Sequence, residues 1–355
     1  MSAPAPASRW PQTAAIAIVI ALVLLLLVVG RKLLVPLAIA VVIWFLLNAG
    51  ARALGRLSLA GRSLPGWLAM ALTMLIGAVI VLLVVNMVAS NLAAIAQAAP
   101  RYQANLEGLM AEVMTTLSIE QLPEFGQLGL QFDLQRILLL MVNALGGLAA
   151  NAGLIFIYVA FLLLEQRFLP VKLKALFPAP EDSRDLRRII GRIRDDVLTY
   201  VWIKTIVSLL TGGLCYLVLR VAGLDNAIFW AFLIFLLNFI PTVGSLIAIV
   251  FPTLLALAQF ADFTTVAILF VCLAAIQIVV GNFIDPRLMG RTLNISTLVV
   301  MLSLVVWGSL WGIVGAFLSV PITVVGMIVL SYFPKTRPIA ILLSADGRVG
   351  PDSRH

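Results

Sequence analysis

A carboxylate and several basic residues stand out against the apolar background of the C-terminal half. Asp285 is followed by Arg287 and Arg291, and Lys204 lies inside an earlier apolar run. An ionisable side chain in a membrane helix marks an ion or proton pathway unless it caps a helix end or extends to the headgroups. These four residues are therefore candidates for transport or coupling. Structural roles are favoured. Asp285, Arg287 and Arg291 would anchor the helix end, where either arginine could also pair with Asp285 or bind a headgroup. Lys204 would extend to the interface, and its alternative is pairing with a buried carboxylate.

Small polar residues form a second set of candidates, because they lie beside Pro and Gly residues that interrupt apolar stretches. Exposed helix ends and carbonyl groups at such breaks can bind ions or polyols. An equally weighted alternative is that Pro and Gly only shape the turns, with the glycines serving close packing. The candidates are Asn238, Pro241, Thr242, Gly244 and Ser245 in one stretch, Gly308, Ser309 and Gly312 in another, and Pro321 and Thr323 beyond it.

The sequence offers little for enzymatic chemistry. His355 is the one histidine, so histidine-based acid–base catalysis and His-rich metal sites are excluded. Neither a phosphate-binding P-loop nor a G-x-S-x-G nucleophile motif occurs. The sequence predicts a protein that is not an enzyme, with no catalytic residue, no metal and no cofactor.

Composition defines the class of protein. Of 355 residues, 62% are hydrophobic and 11% are charged, whereas soluble domains carry about 25% charged residues. Long apolar runs predict an all-α polytopic membrane protein. The net charge of +8 does not indicate nucleic acid as a partner, because Lys and Arg concentrate in loops that should face the cytoplasm.

Two apolar stretches, residues 227–259 and 293–333, are too long for one membrane helix each. A straight helix of the first would extend about 50 Å, against a hydrocarbon core of ~30 Å. Each is interrupted near its middle, and the heptapeptide at 244–250 (GSLIAIV) recurs at 308–314 (GSLWGIV). We therefore predict two broken re-entrant hairpins, in register at an offset of 64 residues, beside about six full transmembrane helices.

The distribution of Lys and Arg predicts the topology. With both stretches as hairpins and both termini in the cytoplasm, 18 Lys and Arg lie inside and 5 outside. This satisfies the positive-inside rule, although Arg31 and Lys32 lie on the wrong side. The hairpins then enter from opposite faces, as in transporters with inverted repeats.

The chain divides into six predicted segments. They are transmembrane helices 1–3 (1–99), an extracytoplasmic amphipathic helical segment (100–136), transmembrane helix 4 (137–164), a basic cytoplasmic helical segment (165–196), a transport core with the inverted repeat (197–333) and a cytoplasmic tail (334–355).

Several local sequences resemble a known family. Residues 238–245 (NFIPTVGS), 282–290 (NFIDPRLMG), 296–300 (STLVV) and 318–321 (LSVP) are similar to motifs of the autoinducer-2 exporter family, also called the PerM-like permeases. Asp285 stands where that family often has Glu. The resemblance implies a multi-pass inner-membrane transporter, with members assigned autoinducer-2 export or sodium/proton antiport. It also implies a homo-oligomer, a pentamer.

We accordingly predict an exporter of a small polar solute of the autoinducer-2 type in a bacterial cytoplasmic membrane. One alternative is a sodium/proton antiporter in which Asp285 titrates. The other is a non-transporting membrane scaffold. Predicted partners are membrane lipids, further copies of the chain, and the transported solute, monovalent cation or proton.

Overall fold

The protein is almost entirely helical in a computed structural model that describes residues 10–56, 58–59, 62–116, 151–176, 180–289 and 294–349. The described elements are α1 (Trp10–Val29), α2 (Arg31–Gly55), β1 (Ser58–Leu59), β2 (Arg62–Ser63), α3 (Gly66–Thr116), α4 (Asn151–Glu165), α5 (Leu169–Leu176), α6 (Pro180–Val221), α7 (Ala227–Leu237), α8 (Val243–Phe260), α9 (Phe263–Val279), a π-helix (Val280–Ile284), α10 (Asp285–Met289), α11 (Thr297–Tyr332) and α12 (Arg337–Leu343). The two short strands form one antiparallel ladder.

The predicted class, an all-α polytopic membrane protein, is confirmed. Six described helices are long and apolar enough to cross a membrane: α2, α3, α6, α8, the run from α9 through α10, and α11. Two of these belong to the predicted hairpins, whereas the described parts of helices 1 and 4 are shorter apolar helices. Ile80, Val81, Leu82 and Leu83 of α3 are 55–68% exposed, as lipid-facing side chains should be.

Helix α3 corrects the predicted boundary at Pro100. The helix continues through Pro100 to Thr116, so that its 51 residues extend about 75 Å. Pro removes one backbone hydrogen bond but does not force a helix to end. Beyond the proline, Asn105 Nδ2 donates to the Ala258 and Gln259 carbonyl groups at 3.1 and 2.8 Å. The rest of the predicted segment, 117–136, and residues 137–150 of helix 4 lie outside the described residues.

Hairpin one comprises α7 and α8. The chain reverses through Asn238–Thr242, where Thr242 has a φ of 56°. The α8 backbone comes so close to α7 that a Cβ at Gly244 would overlap the Leu237 carbonyl oxygen. The predicted break at Pro241 and Gly244 is therefore where the chain turns, and Gly244 allows the contact because it has no side chain.

Hairpin two comprises the two arms of α11. Gly312 has φ 65° and ψ −144° in the middle of the helix, a backbone conformation that L-residues strongly disfavour. A Cβ at Gly315 would overlap the Trp307 carbonyl oxygen, so the two arms fold against each other around Gly312. The two arms therefore approach most closely at Gly315. A Cβ at Gly308 would lie 3.8 Å from the Ala316 Cβ, which is an ordinary van der Waals contact.

The predicted register of the repeat is wrong. Gly244 and Gly315 occupy equivalent places, each against a carbonyl group of the preceding arm. The matching heptapeptides instead begin the second arm of hairpin one and span the turn of hairpin two. The similarity at an offset of 64 residues therefore reflects shared composition, while the turns correspond at an offset of about 70 residues.

The bases of the two hairpins are separated along α6. Hairpin one follows directly after the C-terminal end of α6, where Gln259 donates to the Gly223 carbonyl group at 2.8 Å. The base of hairpin two packs against the N-terminal half of α6, up to its midpoint at Tyr200, in a cluster that joins Tyr200 to Val320, Val324 and Ile328. Tyr200 and Val221 are about 31 Å apart along α6, close to the thickness of a membrane core.

Candidate functional site

A cavity of about 900 Å³ lies between hairpin one, α6, the π-helix and the base of hairpin two. Hairpin one contributes its turn and the first turns of α8, and hairpin two contributes the beginning of its first arm and Val320 of its second. The C-terminal residues Ala345, Asp346 and Arg348 complete the lining.

An ion pair between α6 and α10 forms one wall of the cavity. Lys204 Nζ donates to Asp285 Oδ2 at 2.6 Å, and the two side chains are 8% and 19% exposed. The π-helix Val280–Ile284 ends directly before Asp285, and π-turns occur frequently at functional sites. The contact between two unlike charges offsets part of the cost of removing them from bulk water.

Three polar atoms beside this pair have no hydrogen-bond partner within the described part of the chain. They are Tyr200 Oη, Gln277 Nε2 and Asp285 Oδ1, all of them buried and all on cavity-lining residues. Buried polar groups are rarely left without partners, because each one lost costs about 1–3 kcal/mol. The three residues line the cavity while these atoms are buried, so a shift of their side chains would present two donors and one acceptor to a polar molecule there.

The turn of hairpin one faces this cluster across the cavity and contacts its neighbours. Asn238 Nδ2 donates to Ser208 Oγ on α6 at 3.2 Å. Thr242 Oγ1 lies 3.6 Å from the sulfur of Met301 on the first arm of hairpin two. The rings of Phe239 and Phe317 stack with centroids 4.8 Å apart. Both arms of hairpin two therefore touch the turn of hairpin one.

The structure brings together some of the predicted site residues and separates the others. Asp285, Lys204, Asn238, Pro241, Thr242 and Ser245 line the cavity. The turn of hairpin two points elsewhere, since Trp311 Nε1 donates to the Leu27 carbonyl group of α1 at 3.1 Å. Gly244 lies behind the turn of hairpin one, and the lining does not include Arg287, Gly308, Ser309, Gly312, Pro321 or Thr323. Arg291 lies outside the described residues.

Two interpretations of the charged residues are corrected. Lys204 does not extend to the interface, because its side chain is buried in an ion pair. Asp285 does more than anchor a helix end, because it forms an ion pair with Lys204. Arg287, the other predicted partner among the described residues, is exposed.

Tyr200 and Gln277 were not among the predicted site residues. Tyr200 is four residues before Lys204, on the same helix face. Gln277 is a polar residue in the apolar run of α9 and is 6% exposed. The sequence contained a signal for each. Tyr200 is at position i−4 from the lysine in an apolar run, and Gln277 is a lone amide among apolar residues.

The polar groups form no cluster typical of a metal site. Within the described ranges, no three or more His, Cys, Asp or Glu side chains could hold a metal ion. The two cysteines in those ranges, Cys215 and Cys272, are unpaired. What the arrangement provides is a polar cavity between broken helices inside an apolar helical bundle, and this combination is characteristic of membrane transporters.

Comparison with known proteins gives the family. The AI-2E family transporter profile matches residues 15–335, and the chain belongs to that family. It is a multi-pass membrane protein of a bacterial transporter family.

Individual relatives agree with this assignment. A candidate transport protein of Haemophilus influenzae is 34% identical over 79% of this chain and 83% of its own. The AI-2 transport protein TqsA of Escherichia coli is 32% identical over 79% of this chain and 81% of its own. YhhT of Escherichia coli, another candidate transport protein, is 35% identical over 57% of each chain.

Proposed function

We propose that this protein exports a small polar solute across a bacterial cytoplasmic membrane through the cavity at Lys204 and Asp285. The observation that carries the proposal is the group of unpartnered atoms on Tyr200, Gln277 and Asp285 beside the turn of hairpin one. A solute with hydroxyl or carbonyl groups would supply the missing hydrogen bonds. TqsA is named for AI-2 transport, so autoinducer-2 is the first solute to test.

The cavity faces the cytoplasm in this proposal. Its wall includes the part of α6 that follows the basic residues Arg187, Arg188, Arg192 and Arg194, and the positive-inside rule assigns such a segment to the cytoplasmic side. Both termini are then cytoplasmic. The assembly is a homo-oligomer, for which a pentamer is the first arrangement to test by mass measurement in micelles.

The test is solute uptake into inverted vesicles, which corresponds to export from cells. The expected result is uptake of at least one polar solute, well above that of vesicles lacking the protein. Gln277→Leu should impair uptake, because it removes the unpartnered amide at similar volume. Gln103→Leu is the matched control, since Gln103 is exposed on α3 and bonds only Glu107 nearby, at 3.0 Å. No flux across a broad panel with folded, oriented protein would refute transport and favour a scaffold.

A sodium/proton antiporter is the second candidate, and the unpartnered Asp285 Oδ1 favours it. A carboxylate on a residue that lines a cavity can take a proton or a cation in turn once its side chain turns toward the cavity. Sodium added outside should then discharge a preformed pH gradient in vesicles, and Asp285→Asn should stop the discharge. An unchanged discharge rate in that variant would remove Asp285 from the mechanism.

A further inference from the structure

Residues 344–349 fold back onto residues 294–296, which lead into hairpin two. Ile295 and Ser344 form an antiparallel bridge. Ser296 N donates to the Leu343 carbonyl group and Ala345 N to the Asn294 carbonyl group, both at 3.1 Å. The Asn294 side chain also donates to the Arg348 carbonyl group at 2.6 Å. Residues 344–349, which we name the C-terminal strap, are thus attached to the rim of the cavity.

The strap also forms part of the cavity wall. Ala345, Asp346 and Arg348 line the same cavity as Lys204 and Asp285. The Arg348 amide, and after it the Asn294 side chain, hold the pKa of Asp346 below its usual value. Asp346 is therefore a carboxylate at neutral pH, and the strap adds one acidic and one basic side chain to the cavity rim.

The strap is held by only a few attachments. Ser344 is buried, whereas Ala345, Asp346, Gly347 and Arg348 are exposed on their outer side. A short segment held by a few hydrogen bonds, with little buried apolar surface, can open locally while the rest of the fold stays intact.

We propose that the C-terminal strap is a lid that closes the cavity at the Lys204–Asp285 end and must leave before a solute can enter. This lid has a role only if the protein transports a solute as proposed above, but the accessibility of the cavity can be measured without transport. The AI-2E family match ends at residue 335, so the strap lies outside the part of the chain that the family defines.

The test uses Ser245→Cys as a reporter of access to the cavity. Ser245 lines the cavity on the first turn of α8, and thiol replaces hydroxyl there with little change in shape. Inverted vesicles are treated with a membrane-impermeant maleimide, and modification at residue 245 is followed by peptide mass spectrometry. The full chain is compared with one ending at Ser344, which lacks the strap beyond its bridge, and with a control ending at Val349, which keeps it.

A closed lid predicts faster modification of the chain ending at Ser344. If the lid is open less than about a tenth of the time, its removal should raise the rate about tenfold or more. The control ending at Val349 should react like the full chain. Equal rates in all three chains would overturn the proposal. A failure to find any transported solute would not affect this measurement, so the two proposals fail separately.

A designed disulfide tests the same lid in the full-length chain, where no residue is removed. Ile295 and Ser344 are a non-hydrogen-bonded antiparallel pair, because the two hydrogen bonds join the residues on either side of them. Such pairs have Cα atoms about 4.5 Å apart, which a disulfide can span. Ile295→Cys with Ser344→Cys, oxidised, holds the first residue of the strap at the cavity rim and should make modification of residue 245 slower than in the full chain, and reduction should reverse this. Equal rates in the oxidised chain and in either single variant would contradict a lid that moves from Ser344 onward.

Discussion

The Lys204–Asp285 pair supports a quantitative prediction about stability. In Asp285→Asn the Lys204 ammonium group stays in place with its side chain 8% exposed and loses its charged partner. At 2.6 Å and an effective dielectric constant of about 20, the lost attraction is about 6 kcal/mol. Removing one partner of a buried pair costs about 3–5 kcal/mol. Because Asp285 is 19% exposed, we expect a loss of about 3 kcal/mol in the free energy of unfolding.

The double variant provides the decisive comparison. Lys204→Met with Asp285→Leu removes both charges, and replacing a buried pair by apolar side chains is often neutral or stabilising. It should therefore unfold within about 1 kcal/mol of the native chain. The matched control is Glu165→Gln, which breaks the exposed Lys172–Glu165 pair and should cost less than about 1 kcal/mol.

The assay is reversible unfolding in mixed micelles by titration with dodecyl sulfate, followed by tryptophan fluorescence. All four chains are measured under the same conditions. If Asp285→Asn lowered the free energy of unfolding no more than Glu165→Gln does, the Lys204–Asp285 pair would not be buried as the structure shows. A double variant at least as unstable as Asp285→Asn would show that the loss comes from packing and not from an uncompensated charge.

Three further variants test other parts of the structure. Gly244→Ala should lower the unfolding midpoint and abolish solute uptake, because its Cβ would overlap a backbone carbonyl oxygen. The control Gly213→Ala should do neither, because a Cβ there meets nothing within 4 Å. Equal effects of the two variants would contradict the geometry of hairpin one. Gly312→Ala should cost about 1–3 kcal/mol in the dodecyl sulfate titration, and no loss would mean that the chain does not turn there. Asp262→Asn should make the stability of the fold less sensitive to acid. Hydrogen bonds from Thr265 lower the pKa of Asp262 below 3.8 in the folded chain. The carboxylate therefore stabilises the fold above pH 3.8, and this stabilisation is lost as the pH falls through the lower pKa of the folded state. Unfolding midpoints compared between about pH 5 and 3 check this, and parallel curves would refute it.

Local sequence was enough to predict the class of protein and the two hairpins. A stretch that is too long for one membrane helix and has Pro241 and Gly244 near its middle has few alternatives. The same reasoning failed at Pro100, where α3 continues. A proline in a helix frees one carbonyl group, and water can satisfy that group where the helix leaves the membrane. Contacts from Asn105 to the end of α8 then hold the far part in place.

The site was harder to predict, because its parts come from distant segments. A buried carboxylate was one expected partner of Lys204, but nothing in either neighbourhood identifies Asp285 as that carboxylate. The same is true of the C-terminal strap. Its residues were predicted only as part of a cytoplasmic tail (334–355), because nothing in their sequence indicates a contact with residues 294–296. Long-range pairing depends on how the helices pack, and a single sequence contains little information about that packing.

The π-helix before Asp285 fixes the direction in which that carboxylate points. Each residue of an α-helix turns the chain by about 100°, and a π-turn holds one residue more than an α-turn. If Val280–Ile284 tightened into regular α-helix, everything after it would rotate by roughly that angle, and Asp285 would face away from Lys204. Deleting Gly281, whose missing Cβ would contact nothing within 4 Å, would remove the extra residue, so that the segment could become regular α-helix with Asp285 still facing Lys204. The charge pair therefore depends on the phase of the helix as much as on the two residues that form it.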